Sequence, residues 1–303
     1  MSFRCRRSRT CLLVLGAQAA CARLPEDTRS VASERRASIV LGQATDAFPG
    51  VVQLRLQTTG GETFDHCTGT LISPRRVLTA AHCLPQSFRR DAETYVPRTG
   101  IQVFFGSDAR APGEVRNVLR QDMHANENAP TRVYPVDSYV GQHDTAILEL
   151  ETAAPSDIAT LPITLDTLSD DELRDLPKLI VGFGATEVLD DENRQPDPQG
   201  QHIKRAGEPA PLMRYWSDDE DADFLGAFNG TWVAATDGVH AASCKGDSGG
   251  PLLVQRGGQW AVAAVISRGE RYCDGPTFYA PLTASEEFLE SFLPDPADTH
   301  VQP

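Results

Sequence analysis

The sequence predicts an all-β fold of antiparallel sheets, either closed into barrels or stacked as a sandwich. Three observations carry this. Short apolar runs with strand periodicity recur along the chain, Gly, Pro, Asp and Asn separate them, and one pair of runs reads as a hairpin. Taken in order, Val52, Leu54 and Leu56 alternate with Gln53, Arg55 and Gln57, the period of a half-buried strand. Ile101–Phe105, Ala146–Leu150 and Leu179–Phe183 follow as further strand-like runs. Leu252–Gln255 and Trp260–Ile266 flank Arg256, Gly257 and Gly258, a hairpin that returns the chain and brings Ser267 near the strand beginning just after Ser248. One helix is expected near the C-terminus. There Thr283 or Ser285 can cap a run in which Phe288, Leu289, Phe292 and Leu293 recur at helical spacing, and Pro294 ends it.

With 303 residues, 40% of them hydrophobic, the chain can bury a core as one large all-β domain or two smaller units. The formal net charge of −14 conceals an asymmetry. Residues 1–38 hold eight Arg against three acids, a net +5, so the remainder carries −19. A body so acidic repels phosphates, and nucleic acid is excluded as a partner.

The beginning reads as a secretory signal over residues 1–22. Arg4, Arg6, Arg7 and Arg9 precede a short apolar run, Leu12–Leu15, followed by small residues. The run is too short for a permanent membrane span. Ala17, Gln18 and Ala19 suit cleavage, while Cys21 after Ala19 and Ala20 also suits a lipid-modified cysteine. Gln18 stands where such lipoprotein signals have an aliphatic residue, so release is favoured, and a membrane is a partner only if Cys21 is lipidated. The pair Arg6, Arg7 reads as an ordinary basic start rather than a twin-arginine signal. Residues 23–38 are polar and charged without apolar period, a linker or propeptide.

Of seven cysteines, Cys5, Cys11 and Cys21 lie in the leader, leaving Cys67, Cys83, Cys244 and Cys273. An even number in an exported domain implies disulfides, and four cysteines allow three pairings. His66, Cys67, His82 and Cys83 are ligand types for zinc, but their spacing matches no common finger and export favours oxidation, so no metal and no cofactor is expected. Asp190–Glu192 and Asp218–Asp223 lack the spacing of a calcium loop and read as solvated insertions. Asn229, Gly230, Thr231 is a glycan acceptor motif, yet Asn-Gly between Phe228 and Trp232 is first a tight-turn signal.

The chemistry concentrates in three places. Cys244, Lys245, Gly246, Asp247, Ser248, Gly249, Gly250 and Pro251 enclose one serine in turn-forming residues. Thr79, Ala80, Ala81, His82 and Cys83 supply a histidine, and Asp144 opens the strand-like run that ends at Leu150. A serine hydroxyl needs a base to take its proton during attack, and an imidazole serves best when a buried carboxylate holds its other nitrogen. Gly246–Gly250 also satisfies the G-x-S-x-G elbow of α/β-hydrolases, where acid and histidine follow the serine. After Ser248 the sole histidine is His300, three residues from the end, so the order His, Asp, Ser excludes that reading. His66, His124, His143, His202, His240 and His300 are read as structural or solvated.

From about Ile39 to about Leu293 these residues resemble the trypsin/chymotrypsin-like serine protease family. The resemblance implies two six-stranded antiparallel β-barrels with the active site in the cleft between them, and a C-terminal helix. It implies a peptidase domain over 39–303, with barrels at about 39–160 and 161–282 and the helix at about 284–293. It assigns His82, Asp144 and Ser248 as base, orienting acid and nucleophile, and pairs Cys67 with Cys83 and Cys244 with Cys273. The backbone N–H groups of Gly246 and Ser248 become the oxyanion hole. Ala242 lies at the base of the pocket for the side chain before the cut bond, Gly269 leaves one wall open, Thr277 narrows another, and Ser267 holds the acid and meets substrate backbone. With no carboxylate at 242, small or medium apolar side chains are expected there. Arg268 stands where an aromatic usually borders the substrate, and Lys245 lies at the rim.

Family enzymes are made inactive and cut to expose an amine that pairs with the aspartate before the serine, which here makes Ile39 and Asp247 the activation pair. Leu41 replaces the usual glycine of that start, and Ser38 the usual basic residue. Arg35 and Arg36 lie upstream, so a second trimming step or an activator not selecting arginine is needed. The implied protein is a secreted or extracytoplasmic monomeric serine endopeptidase made as a zymogen. Its expected partners are a protein or peptide substrate, an activating protease and a protein inhibitor. The rival reading is a catalytically silent homologue acting as a binding or regulatory module.

Overall fold

The computed structural model describes residues 39–58, 63–84, 88–89, 95–96, 98–111, 113–124, 142–185, 202–216, 229–269 and 273–293. The leader with Cys21, the segment with Arg35 and Arg36, the acidic stretches Asp190–Glu192 and Asp218–Asp223, and His300 lie outside the described residues.

The chain runs through β1 (Gln43–Ala44), β2 (Val51–Thr58), β3 (Thr63–Ser73), β4 (Arg76–Thr79), β5 (Phe88–Arg89), β6 (Tyr95–Val96), β7 (Arg98–Phe104), β8 (Val115–Met123) and β9 (Ala146–Leu150). It continues through α1 (Asp170–Asp175), β10 (Lys178–Gly182), β11 (Arg205–Gly207), β12 (Leu212–Arg214), β13 (Trp232–Ala234), β14 (Pro251–Arg256), β15 (Gln259–Arg268), β16 (Thr277–Pro281) and α2 (Glu286–Glu290). Strands β2, β3, β4, β9, β8 and β7 close a six-stranded barrel in that order. The second sheet has the order β1, β11, β10, β14, β15, β16, β13, β12. The fold class agrees with expectation: mostly β, a closed barrel, a second curled sheet and a short C-terminal helix. The short edge strands β1 and β12 widen that second sheet to eight, and β1 brings the start of the described chain across to it through Gln43 opposite Ala206.

The packing follows from the patterns, with two departures. Val52, Leu54 and Leu56 are buried as the alternation requires, but Gln53 is buried too. Arg55 reaches over it, its Nε donating to Gln53 Oε1 at 3.2 Å and its Nη2 to Ala109 O at 2.8 Å, so the polar face of β2 is covered. The β14–β15 hairpin pairs Arg256 with Gln259 around Gly257 and Gly258, whose φ of 56° and 83° are those a two-residue turn matching strand twist demands. At its far end the β15–β16 register shifts between Ile266 and Arg268, a bulge that falls on Ser267 and re-aims that side chain.

The C-terminal helix is shorter than 284–293. Leu282–Ser285 is a 3₁₀ turn and only Glu286–Glu290 is α. Ser285 takes the N-cap position without capping, because its hydroxyl is bonded to His124 Nδ1 at 2.9 Å. A helix that was not expected, α1, carries a full capping box between Ser169 and Glu172. Asn229 and Gly230 lie in a turn just before β13, with Gly230 at φ 83° and its N donating to Tyr215 O at 3.1 Å. Among the described residues no helix is long and apolar enough to cross a membrane.

Candidate active site

His82 sits in the 3₁₀ turn Ala81–Cys83 that follows β4, and its neighbour Cys83 is bonded to Cys67 in β3. Asp144, two residues before β9, is 1% exposed. Its Oδ1 accepts from the His82 backbone N at 2.9 Å and its Oδ2 meets His82 Nδ1 at 2.7 Å, so one carboxylate fixes both the turn and the ring. Ser267 Oγ donates to the same Oδ2 at 2.6 Å. These bonds replace the water lost on burying the charge. With Nδ1–H given to Asp144, Nε2 is left to accept a proton. Burial is the largest single influence on the imidazole and lowers its pKa, but the charge and hydrogen bond of Asp144 together outweigh it. The net position is above the ordinary 6.5, with Arg268 pulling downward.

Ser248 lies on the same floor. Its carbonyl accepts from Thr68 N at 2.8 Å, and the Cys83 sulfur stands 3.6 Å from that carbonyl and 3.9 Å from His82 Nε2. Among the described residues no hydrogen bond joins Ser248 Oγ to His82. Such contacts are often long before substrate arrives. The turn around the serine depends on two glycines in the left-handed region, Gly246 at φ 100° and Gly249 at φ 76°; a Cβ on Gly249 would fall 2.0 Å from Thr79 Oγ1. The expected oxyanion donors, Gly246 N and Ser248 N, are used by no other described residue, whereas Asp247 N donates to Cys244 O at 3.0 Å and Gly249 N to Ile266 O at 2.8 Å.

Asp247 points away from the serine into the second sheet and is fully buried. Gly184 N donates to its Oδ1 at 2.7 Å, Cys244 N to its Oδ2 at 2.9 Å, and the Ile39 backbone N–H also bonds it. Burial pushes its pKa up to about 7, against the pull of those N–H groups. The sequence-derived pair Ile39 and Asp247 therefore meet, through the peptide N–H of Ile39, whose side chain is wholly buried. Ile39 and Leu41 hold φ of 44° and 68°, the left-handed region, which is costly for the β-branched Ile39 above all.

Three contributors were not anticipated. Gly182 and Gly184 make the seat for Asp247, since a Cβ on either would lie 2.2 or 2.4 Å from its carboxyl atoms. Their signal was present as two glycines spaced by Phe183 at the end of a strand-like run. Thr68 donates from Oγ1 to Gly246 O at 2.8 Å, and nothing in a single threonine announces that.

Ala242 is buried and bridged to Val40, its N donating to Val40 O at 3.1 Å. Beside it, Ser243 Oγ lies 3.0 Å from Thr277 Oγ1, and a Cβ on Gly269 would reach Ser243 Oγ at 3.0 Å. Gly269 and Thr277 thus flank Ser243, with the Ser243 and Thr277 hydroxyls side by side. Cys244 is bonded to Cys273. The sulfurs of Cys67 and Cys83 and a ring nitrogen of His82 cluster within 4.8 Å, but the disulfide leaves no thiolate to bind a metal.

The family model for Trypsin matches residues 39–289. Among curated relatives, the CLIP domain-containing serine protease B15 of Anopheles gambiae is 25% identical over 260 residues, which span 83% of this chain and 68% of that protein. A trypsin of Simulium vittatum is 27% identical over 227 residues, spanning 71% of this chain and 78% of that protein.

Proposed function

This chain belongs to the trypsin family, and from that premise we propose that it is an exported serine endopeptidase working through Ser248, His82 and Asp144. The observation that carries the reading is the doubly bonded pair His82–Asp144 beside a serine turn in which, among the described residues, no backbone acceptor takes the N–H groups of Gly246 and Ser248.

In this reading His82 Nε2 takes the Ser248 Oγ proton as Oγ bonds to the substrate carbonyl carbon. The carbonyl oxygen becomes an anion between the N–H groups of Gly246 and Ser248. The imidazolium, held by Asp144, then protonates the leaving amine as the carbon–nitrogen bond breaks. Water repeats the sequence on the acyl-enzyme, releasing the acid and restoring the serine.

Among the described residues, Ala242, Ser243, Gly269 and Thr277 offer no carboxylate to pair with an arginine or lysine, which supports a preference for small or medium side chains before the cut bond. Arg268, at the end of β15 beside Ser267, acts on His82 from the cleft and favours carboxylates elsewhere in the substrate. Two disulfides fit an oxidising compartment, and the buried contact of Ile39 with Asp247 fits activation by a cut before Ile39. A second reading, a silent homologue that binds without cutting, draws on the missing hydrogen bond between Ser248 and His82. Peptide-library digestion by protein beginning at Ile39, read by mass spectrometry beside Ser248→Ala, separates the two. Cleavage by the first alone supports the peptidase, and cleavage by neither supports the silent module.

A further inference from the structure

Thr68, outside the expected constellation, bonds the serine turn at two carbonyls. It is fully buried in β3, next to Cys67. Its backbone N donates to Ser248 O at 2.8 Å, and its Oγ1 donates to Gly246 O at 2.8 Å while accepting from Phe183 N at 3.1 Å. The hydroxyl has one proton, which goes to Gly246, so the Phe183 N–H must be the donor in the other bond. Thr79 Oγ1 in turn donates to Thr68 O at 2.9 Å, and the Thr68 methyl would lie 3.2 Å from a Cβ placed on Gly250.

These contacts hold the peptide planes on either side of the Asp247–Ser248 link; the planes that carry the Gly246 and Ser248 N–H groups are held at their own carbonyls, Ala185 N donating to Lys245 O at 2.7 Å and Gly250 N to Asp247 O at 2.8 Å. A peptide group is rigid and planar, so holding the carbonyl of Gly246 fixes the plane that carries the N–H of Asp247, and holding Ser248 O fixes the plane beyond the serine. What remains free to turn between Lys245 and Ser248 is small, although Gly246 at φ 100° would otherwise permit wide excursions. Phe183 lies between Gly182 and Gly184, the seat of Asp247. The Thr68 hydroxyl therefore joins the Asp247 seat in one sheet to the serine turn, from a strand of the closed barrel.

We propose that Thr68 is the positioning residue of the oxyanion hole, its hydroxyl clamping the Gly246 carbonyl so that the N–H groups of Gly246 and Ser248 converge on the developing oxyanion. The proposal rests on the peptidase reading above. Loss of the hydroxyl leaves the pocket side chains in place and loosens the donors, so it weakens stabilisation of the tetrahedral state more than it weakens substrate binding.

The test compares wild type, Thr68→Val and Thr68→Ser in protein beginning at Ile39. It measures kcat and KM for one peptide substrate, inhibition by the matching peptide boronate, whose tetrahedral adduct places an oxygen in the hole, and binding of the same peptide to each variant carrying Ser248→Ala. Thr68→Val should lower kcat and boronate affinity together by about a hundredfold, the lower end of the scale of a lost donor, with peptide binding held within about twofold. Thr68→Ser should recover most of both, because it keeps the hydroxyl. The proposal is overturned if kcat and boronate affinity survive in Thr68→Val, if peptide binding falls as far as kcat does, or if serine fails to rescue. Should the valine variant not fold, Thr68→Ala carries the same expectations. A wild type that neither cleaves nor binds boronate defeats the peptidase reading itself, a result separable from failure of the clamp.

Discussion

Ser267 Oγ reaches Asp144 Oδ2 at 2.6 Å, the same oxygen that His82 Nδ1 meets at 2.7 Å. The carboxylate is thereby held from the second sheet while it orients a ring carried by the first barrel. Removing this bond in Ser267→Ala frees the carboxylate to rotate and should lower kcat roughly tenfold, in keeping with a hydrogen bond to a charged group. Asp144→Asn, which presents the wrong donor to Nδ1, should lower it by about four orders of magnitude. Steady-state kinetics on a single peptide substrate checks both, and equal losses for the two variants would contradict the division of labour.

The pH dependence follows from His82. In the proposed role of base it works only when neutral, and Asp144 holds its pKa above the ordinary 6.5. Activity should therefore rise with pH through a midpoint higher than 6.5. Arg268 lowers that pKa, so Arg268→Gln should move the midpoint of kcat/KM upward. A profile that is unmoved, or moved downward, would show that Arg268 does not act on the imidazole.

Asp247 ties stability to processing. In the uncut chain its pKa of about 7 stands above the ordinary 3.8, so the folded protein binds a proton that the unfolded chain has released. By linkage, stability is lost as pH rises from about 4 to about 7, to a total of about 4 kcal/mol. In the proposed activation, a cut before Ile39 would supply an ammonium partner, lowering the folded pKa and removing that slope. Melting temperatures of uncut and cut Ser248→Ala protein across this range measure it; parallel slopes would mean that the amine does not reach Asp247.

Gly184→Ala places a methyl 2.4 Å from the Asp247 carboxyl carbon, where nothing can yield without displacing the carboxylate and the N–H bonded to it. The variant should lose at least about 3 kcal/mol of stability, the scale of a disrupted buried charge, and most activity with it. Chemical denaturation gives the first figure. Gly257→Ala, in the open β14–β15 turn, serves as comparison, since its Cβ would meet nothing and only backbone strain is added.

The features readable from sequence were those that local chemistry declares. Alternation announced β2, glycines at positive φ announced the β14–β15 turn, and Ser248 and His82 each came with a cysteine at a short offset. What escaped were properties of approach between distant segments. Gln53 is buried because Arg55 and Ala109 cover it, Ser285 is spent on His124 instead of capping, and Thr68 meets Gly246 across 178 positions. None of these leaves a periodic trace. Gly182 and Gly184 lie between, since their pattern was visible while its reason, the carboxyl of Asp247, belongs to another strand.

The central claim is that His82 activates Ser248 for attack on a carbonyl. Protein cut before Ile39 and exposed to a peptide phosphonate should gain one adduct, located to Ser248 by peptide mapping, at a rate that falls by several orders of magnitude in His82→Ala and to nothing in Ser248→Ala. An unmodified serine after long exposure, or an adduct formed as fast without His82, would contradict it.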